Sequence, residues 1–321
     1  MIPAYGLSKE RAPHGPRVGK GNLFSADGKP LLVIVEGSDG DRMLAKGMEA
    51  LGGLESLVAL GEGMYLKPNY GSHRDYPTGS DPHFLVSIAR QWRQSGGTGV
   101  TICDSSDAYV LNRYNDHEYV FKVNQMFDIG KAADIEVICT HPKEETEYIP
   151  VRSGKWVANS EIKVNRRFLS APVIINQPML KRHGEAHMTC ALKNFFGAVF
   201  QPQRKHAHDR LHGNAVKGED FFMRTIAEFA DALRPELTIV DARKIMTRRG
   251  PSLKEGSVIV DAHRLIISGD LVATDAYCAQ LLADHDDTFH QETILKTLEY
   301  AQSLGLGTRD LTQVNIVEVS T

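Results

Sequence analysis

Lysine, histidine, cysteine and asparagine crowd into one stretch, LKRHGEAHMTCALKN at 180–194, between the apolar runs PVIIN (172–176) and FFGAVF (195–200). A chain that only turns a corner uses Gly, Asn or Ser. Here Lys181, His183, His187, Lys193 and Asn194 stand together, side chains that hold anions and move protons near neutral pH. Met188, Ala191, Leu192, Phe195, Phe196 and Val199 fall at helical spacing, which predicts a helix over 187–199. Its other face would carry His187, Cys190, Lys193, Asn194 and Gly197, the lysine and amide pointing at an anion near the helix N-terminus.

His183 and His187, with His206, His208 and His212, place five of the 13 histidines within 30 residues, and Asp209 lies among them. Mixed histidine and carboxylate donors suit Zn, Mn, Fe or Ni. A metal set of His183, His187, His206, His208 and Asp270 is one expectation. The competing one is a basic surface loop with incidental histidines, since no HExxH or similar spacing occurs. The four cysteines, Cys103, Cys139, Cys190 and Cys278, form no CxxC pair, so there is no iron–sulfur motif. GxGxxG, GxxxxGK[ST] and GxSxG are likewise missing.

Elements must bring such residues together. LLVIVEG (31–37), MYLKPN (64–69), VTIC (100–103), DIEVIC (134–139), PVIIN (172–176), LTIVD (237–241) and LIISGD (265–270) read as strands. Helical spacing covers 41–51, 82–94, 117–129, 219–233, 271–284 and 289–303. The alternation predicts an α/β fold, a largely parallel sheet flanked by helices, with a β-hairpin insertion near 140–170. Residues 1–30 read as an extended N-terminal arm and 31–321 as a single α/β domain, with 200–218 a long basic, His-rich loop.

Open parallel sheets bind ligands beyond the carboxyl ends of their strands. At those ends stand Lys67 and Asn69, Asp104 and Ser105, Asn176, Asp241, and Asp270 with Asp275. Asp, Asn and Ser can simply cap the helices that follow, but capping does not explain Lys67 or Lys181.

A net charge of −3 over 321 residues gives no basic stripe for nucleic acid. No apolar run approaches the roughly 20 residues of a membrane span. The first 30 residues lack the apolar centre of a leader. The expectation is a soluble protein, cytoplasmic, or exported if a leader was removed before Met1; oligomeric state is left open.

The stretch APVIINQPMLKRHGEAHMTCALKNFFGAV resembles the central signature of the family of domain of unknown function 362. There a strand ending in Asn-x-Pro leads through Lys-x-His to a Lys-Asn-x-x-Gly helix. YLKPNYG with PTGSDPHFLVSIARQW, LTIVDA…GP, and IISGDLVATDAYCAQLL resemble its other blocks, in family order over about residues 31–285. The resemblance implies functional positions at Lys67, Asn69, Asp104, Asn176, Lys181, His183, Lys193, Asn194, Asp241, Asp270 and Asp275. Many relatives carry ferredoxin-like cysteine clusters or an export leader; this chain shows neither, which argues against electron transfer. The family is also distantly similar to the amino-terminal part of nickel-dependent lactate racemase-type proteins, a fold-level analogy that sets no activity.

The leading expectation is an enzyme acting on a small anionic or polyoxygenated molecule, as a hydrolase, lyase or isomerase, with a divalent metal as the expected cofactor. His183, His187, Lys181, Lys193 and Asp241 would carry the chemistry. Lys67, Asn69, Asp104, Ser105, Asn176 and Asn194 would hold substrate. The alternatives are a metal or iron–sulfur maturation protein and a redox enzyme with a bound nucleotide.

Overall fold

The computed structural model describes residues 15–61, 63–71, 76–213 and 215–321. The strands are β1 (Ser25–Ala26), β2 (Lys29–Glu36), β3 (Met64–Lys67), β4 (Val100–Asp104), β5 (Glu136–Cys139), β6 (Tyr148–Val151) and β7 (Ile162–Asn165). They continue with β8 (Val173–Asn176), β9 (Met179–His183), β10 (His187–Thr189), β11 (Leu237–Thr247), β12 (Val258–Ser268) and β13 (Asn315–Ser320). Eleven of them form one sheet whose main path runs β1-β2-β12-β11-β8-β3-β4-β5. From β11 to β5 every neighbour is parallel, while β12 runs antiparallel to β11 and β2. The expected α/β architecture with a mostly parallel, helix-flanked sheet is present.

Strands such as VIIN of β8 are buried throughout because helices cover both faces of the sheet. Val33, Val35, Ile175 and Ile239 face one core, which holds Met43 and Leu44 of helix Gly40–Leu51 and Phe84 and Ile88 of helix Pro82–Gln94. Leu32, Ile34, Ile174 and Val240 face the other, with Phe222 and Phe229 of helix Ala215–Leu233 and Val272 of helix Leu271–His285. Each such buried side chain contributes about 1.5–3 kcal/mol. Helix ends follow local chemistry: Asp39 accepts from the backbone N–H of Asp41 and Arg42, and Asp81 accepts from that of His83 ahead of Pro82.

The expected hairpin near 140–170 is the separate antiparallel pair β6–β7. Its connecting loop is tied down by buried Glu228, which accepts from the backbone N–H groups of Val157, Ala158 and Asn159 at 2.8–2.9 Å. Of the expected N-terminal arm, residues 1–14 lie outside the described residues. Residues 15–24 hold neither helix nor strand, and Arg17 fastens them by an ion pair with Glu236 at 2.8 Å and a bond to Pro172 O at 2.9 Å.

Three expectations are corrected. The predicted helix over 187–199 is instead the β9–β10 hairpin followed by a 3-10 turn at Lys193–Ala198. The Gly184–Glu185 turn folds 187–189 back onto β9, and His187 takes a left-handed backbone (φ 61°). Its apolar stripe is buried all the same, so the spacing reported burial rather than helix. The predicted loop at 200–218 is helical: Gln201–Gly213, with Ala215–Leu233 following. Its inward face is Gln201, Arg204 and Ala207, too polar to show an apolar period. The predicted helix at 117–129 is broken into Tyr119–Val123 and Met126–Ala132, with Ala108–Tyr114 preceding them.

Candidate anion site

Parallel pairing in register sets Lys67, the last residue of β3, beside Asn176, the last of β8, and β4 ends next door at Asp104. The hairpin β9–β10 rises directly beyond β8. Together these ends and helix Gln201–Gly213 enclose a cleft of about 560 Å³. Of the residues expected from sequence, Lys67, Asn69, Asp104, Lys181, His183, Lys193, Asn194 and His208 line it.

At the floor, Lys67 and Asp104 form an ion pair at 2.8 Å, each 1% exposed. Burial pulls the Lys67 pKa down and Asp104 pushes it back up. The Asp104 carboxylate also accepts from the backbone N–H of Tyr70 and of Ser105. Gly197 crosses directly above the pair: a Cβ there would lie 2.0 Å from Asp104 Oδ1 and 2.8 Å from Lys67 Nζ. Only a residue without a side chain fits that crossing.

A chain of amides sets one wall. Asn176 Nδ2 donates to Ala191 O at 3.1 Å, Asn194 Nδ2 donates to Asn176 Oδ1 at 2.8 Å, and Asn69 Nδ2 donates to Asn194 Oδ1 at 2.8 Å. Lys181 Nζ then donates to Asn69 Oδ1 at 2.9 Å and to the carbonyl of Thr78. An ammonium has three N–H donors, so these bonds leave the third N–H of Lys181 available. No carboxylate lies within ion-pair distance of Lys181 or Lys193 among the described residues. Burial takes the pKa of each down to about 7. Half-buried Lys193 sits over the Phe196 ring, 3.5 Å from its centre. Directly across the hairpin from Lys181 is Thr189. Its hydroxyl is buried, lines the cleft and has no hydrogen-bond partner among the described residues.

His183 Nδ1 accepts from the backbone N–H of both Glu185 and Ala186 at 3.1 Å. A neutral ring so placed carries its proton on Nε2. Burial, reinforced by nearby Lys193, His208 and Lys181, holds its pKa well below the ordinary histidine value. At the rim, Glu185 pairs with His208 at 2.5 Å and with His212 at 2.7 Å. His208 is the larger cause of the fall of the Glu185 pKa to about 2.

The remaining expected residues stand elsewhere. Ser105 and Asn176 are buried behind the wall, Ser105 donating to Gly197 O at 2.7 Å. Asp241 pairs with Arg243 at 2.7 Å, beside Asp81. Asp270 caps helix Leu271–His285 through Ala273 N at 2.8 Å, and its other contact is Thr308 N. Asp275 accepts from the backbone N–H of Ala191 and Leu192, positioning the turn before Lys193. His187 pairs with Glu219 at 3.6 Å, and His206 packs edge-on against Phe221.

The expected metal set therefore does not converge. Among the described residues no three His, Cys, Asp or Glu side chains are grouped to hold a metal, and in the cleft Asp104 is engaged by Lys67 and Glu185 by His208 and His212. These residues do not fit a resident divalent metal. The four cysteines are free thiols, three of them buried.

Sequence reasoning missed Asp107, Thr189 and Arg204 in the cleft lining. Arg204 is 6% exposed and donates to Ser105 Oγ and to the carbonyls of Val199, Ser106 and Gly197. Its signal lay in the three-residue spacing of Gln201, Arg204 and Ala207.

Residues 64–280 match the family model described as Domain of unknown function (DUF362). The chain belongs to this family. The DUF362 block contains every strand end that shapes the cleft, from β3 to β11. A similar curated protein is a thylakoid-associated protein of Synechocystis sp., 27% identical over 241 residues, covering 73% of this chain and 67% of that one. The lactate racemase apoprotein from Thermoanaerobacterium thermosaccharolyticum is similar in structure, with a TM-score of 0.47 and 8% identity over 96% of this chain and 88% of that one. A crystal structure of a Thermotoga maritima protein gives a TM-score of 0.40 at 14% identity, over 84% of this chain and 60% of that one. Neither structural likeness assigns an activity to this DUF362 chain. No helix among its described residues is long and apolar enough to cross a membrane.

Proposed function

We propose that this DUF362 protein is an acid–base enzyme, of the lyase or isomerase type, acting on a small anionic, polyoxygenated molecule in the cleft beyond β3, β4 and β8. One observation carries the reading: the Lys181 ammonium is 3% exposed, faces the cleft, and meets only neutral acceptors. Asp107, in the lining of the same cleft, favours the ammonium electrostatically, but no carboxylate hydrogen-bonds it among the described residues, and a buried cation so weakly compensated is costly. A bound oxyanion supplies the missing charge.

The amines have further use. A group works best as a general acid or base when its pKa lies near the working pH, and burial brings Lys181 and Lys193 to about 7. Lys181, held by Asn69 and Thr78, orients the anion. Lys193, with no hydrogen bond among the described residues to restrain it, gives or takes the proton. His183 serves as a neutral donor through Nε2–H to an oxygen on which charge develops, since its Nδ1 is occupied by two backbone N–H groups. The sequence assigns His183 or His187 a broader part in proton transfer; here the part of His183 is that of a donor.

Isothermal calorimetry at pH 6.5 with small carboxylates and phosphate tests the binding half. Binding is expected in the native protein and at least tenfold weaker in Lys181→Met. Proton NMR in D2O with bound hydroxy and oxo acids tests the chemistry: deuterium should enter beside the carboxylate, and Lys193→Met should abolish that exchange. Equal binding by Lys181→Met and the native protein sinks the reading.

A further inference from the structure

The charges in the cleft can be counted. Apart from Lys205 and Lys254, which are exposed to solvent, four cationic side chains, Lys67, Lys181, Lys193 and Arg204, face two carboxylates, Asp104 and Asp107. Asp104 is committed to Lys67 at 2.8 Å. The third acid of the lining, Glu185, is engaged at the rim by His208 and His212, and Lys205 there pairs with Asp209 at 2.5 Å. Arg204 remains charged at any relevant pH and its hydrogen bonds all go to neutral oxygens. With both amines protonated, two positive charges remain uncompensated in a site largely shielded from water.

A second, independent observation marks where one end of a ligand sits. Thr189 and Lys181 are directly opposed across the β9–β10 hairpin, so their side chains leave the same face. Thr189 is 4% exposed, yet its Oγ1 has no partner among the described residues. Buried hydroxyls are nearly always hydrogen-bonded, and this one borders the cleft beside a lysine with a spare N–H.

We infer that the cleft takes a small doubly charged oxyanion, a dicarboxylate or a phosphate monoester, with one oxyanion oxygen seated between the Lys181 ammonium and the Thr189 hydroxyl. This rests on the anion-site reading above. Lys193 and Arg204 meet the second charge. A monoanion leaves half-buried Lys193 and buried Arg204 without a matching charge, which is what selects against it.

The test is calorimetry at pH 6.5 with propionate, malonate and methyl phosphate, on the native protein, Lys193→Met and Thr189→Val. At least one dianion is expected to bind tenfold or more tighter than propionate; which one it is separates the dicarboxylate from the phosphate source. Lys193→Met should bring that ligand to the propionate level. Thr189→Val should weaken it at least threefold while the melting temperature holds or rises, because the variant removes an unpaired hydroxyl. If propionate binds as tightly as both dianions while Lys181→Met weakens all three, the anion site stands and its double charge is overturned. If none of the three binds, both readings fall. Thr189→Val with unchanged affinity and a lower melting temperature removes the proposed seat.

Discussion

Asn69 donates from Nδ2 to Asn194 Oδ1 at 2.8 Å, and this bond joins the end of β3 to the turn that carries Lys193. On one side of it Lys181 is held by Asn69 Oδ1; on the other Asn194 is held by Asn176. Asn194→Ala removes the middle of this chain and strands the Asn176 carbonyl in the protein interior. A buried polar group left unpaired costs about 1–3 kcal/mol. A loss of this size, read from the urea midpoint, is expected, together with weaker anion binding because Lys181 loses its fixed neighbour.

Gly197→Ala puts a methyl group onto the Lys67–Asp104 pair, 2.0 Å from one carboxylate oxygen. Neither partner can retreat, since both are buried and Asp104 also holds two backbone N–H groups. Overpacking of this kind costs about 1–3 kcal/mol. The variant is expected to unfold at lower denaturant and to lose anion binding. Unchanged stability would mean the turn at Lys193–Ala198 shifts freely.

The pH dependence has a definite sign. Lys181 and Lys193 have pKa values near 7 in the fold and near 10.5 when unfolded. Between those values the unfolded chain binds more protons, so stability of the ligand-free protein should rise from pH 7 toward pH 10 and be lost as pH falls through 7. Anion affinity should move the opposite way, falling as the amines lose their protons above pH 7. Thermal melts with and without phosphate across this range check both slopes; parallel slopes would remove the lysines from the site.

Asp270→Ala separates capping from chemistry. The carboxylate accepts from Ala273 N and Thr308 N and lies outside the cleft lining. Loss of a helix cap costs about 0.5–2 kcal/mol. Lower stability with unchanged anion affinity is expected in calorimetry; a lost affinity would bring Asp270 back as a site residue.

Much of the cleft was legible because a parallel sheet concentrates its ligand groups at one edge. Lys67, Asn69 and Asp104 could be placed there once MYLK and VTIC were read as strands. Lys181 and Lys193 stood out because a lysine neither caps a helix nor fills a core. Asp241 and Asp270 were misread for the same reason in reverse: a carboxylate after a strand looks alike whether it caps, pairs with an arginine, or holds a ligand. The hairpin at 179–189 was hidden because its apolar residues are buried at a spacing that also suits a helix. Arg204 and Thr189 were hidden because their burial depends on neighbours distant in sequence, and Arg204's helix has no apolar stripe to announce it.

Lys181 reaches Asn69 across 112 residues of chain, and Arg204 reaches Ser105 across 99. The charge pattern therefore exists only once β3, β4, the β9–β10 hairpin and helix Gln201–Gly213 have assembled. On the proposed reading, an anion bound there would act as a clasp on the finished molecule. Its lifetime against proteases that attack the unfolded form would then rise with the concentration of that anion.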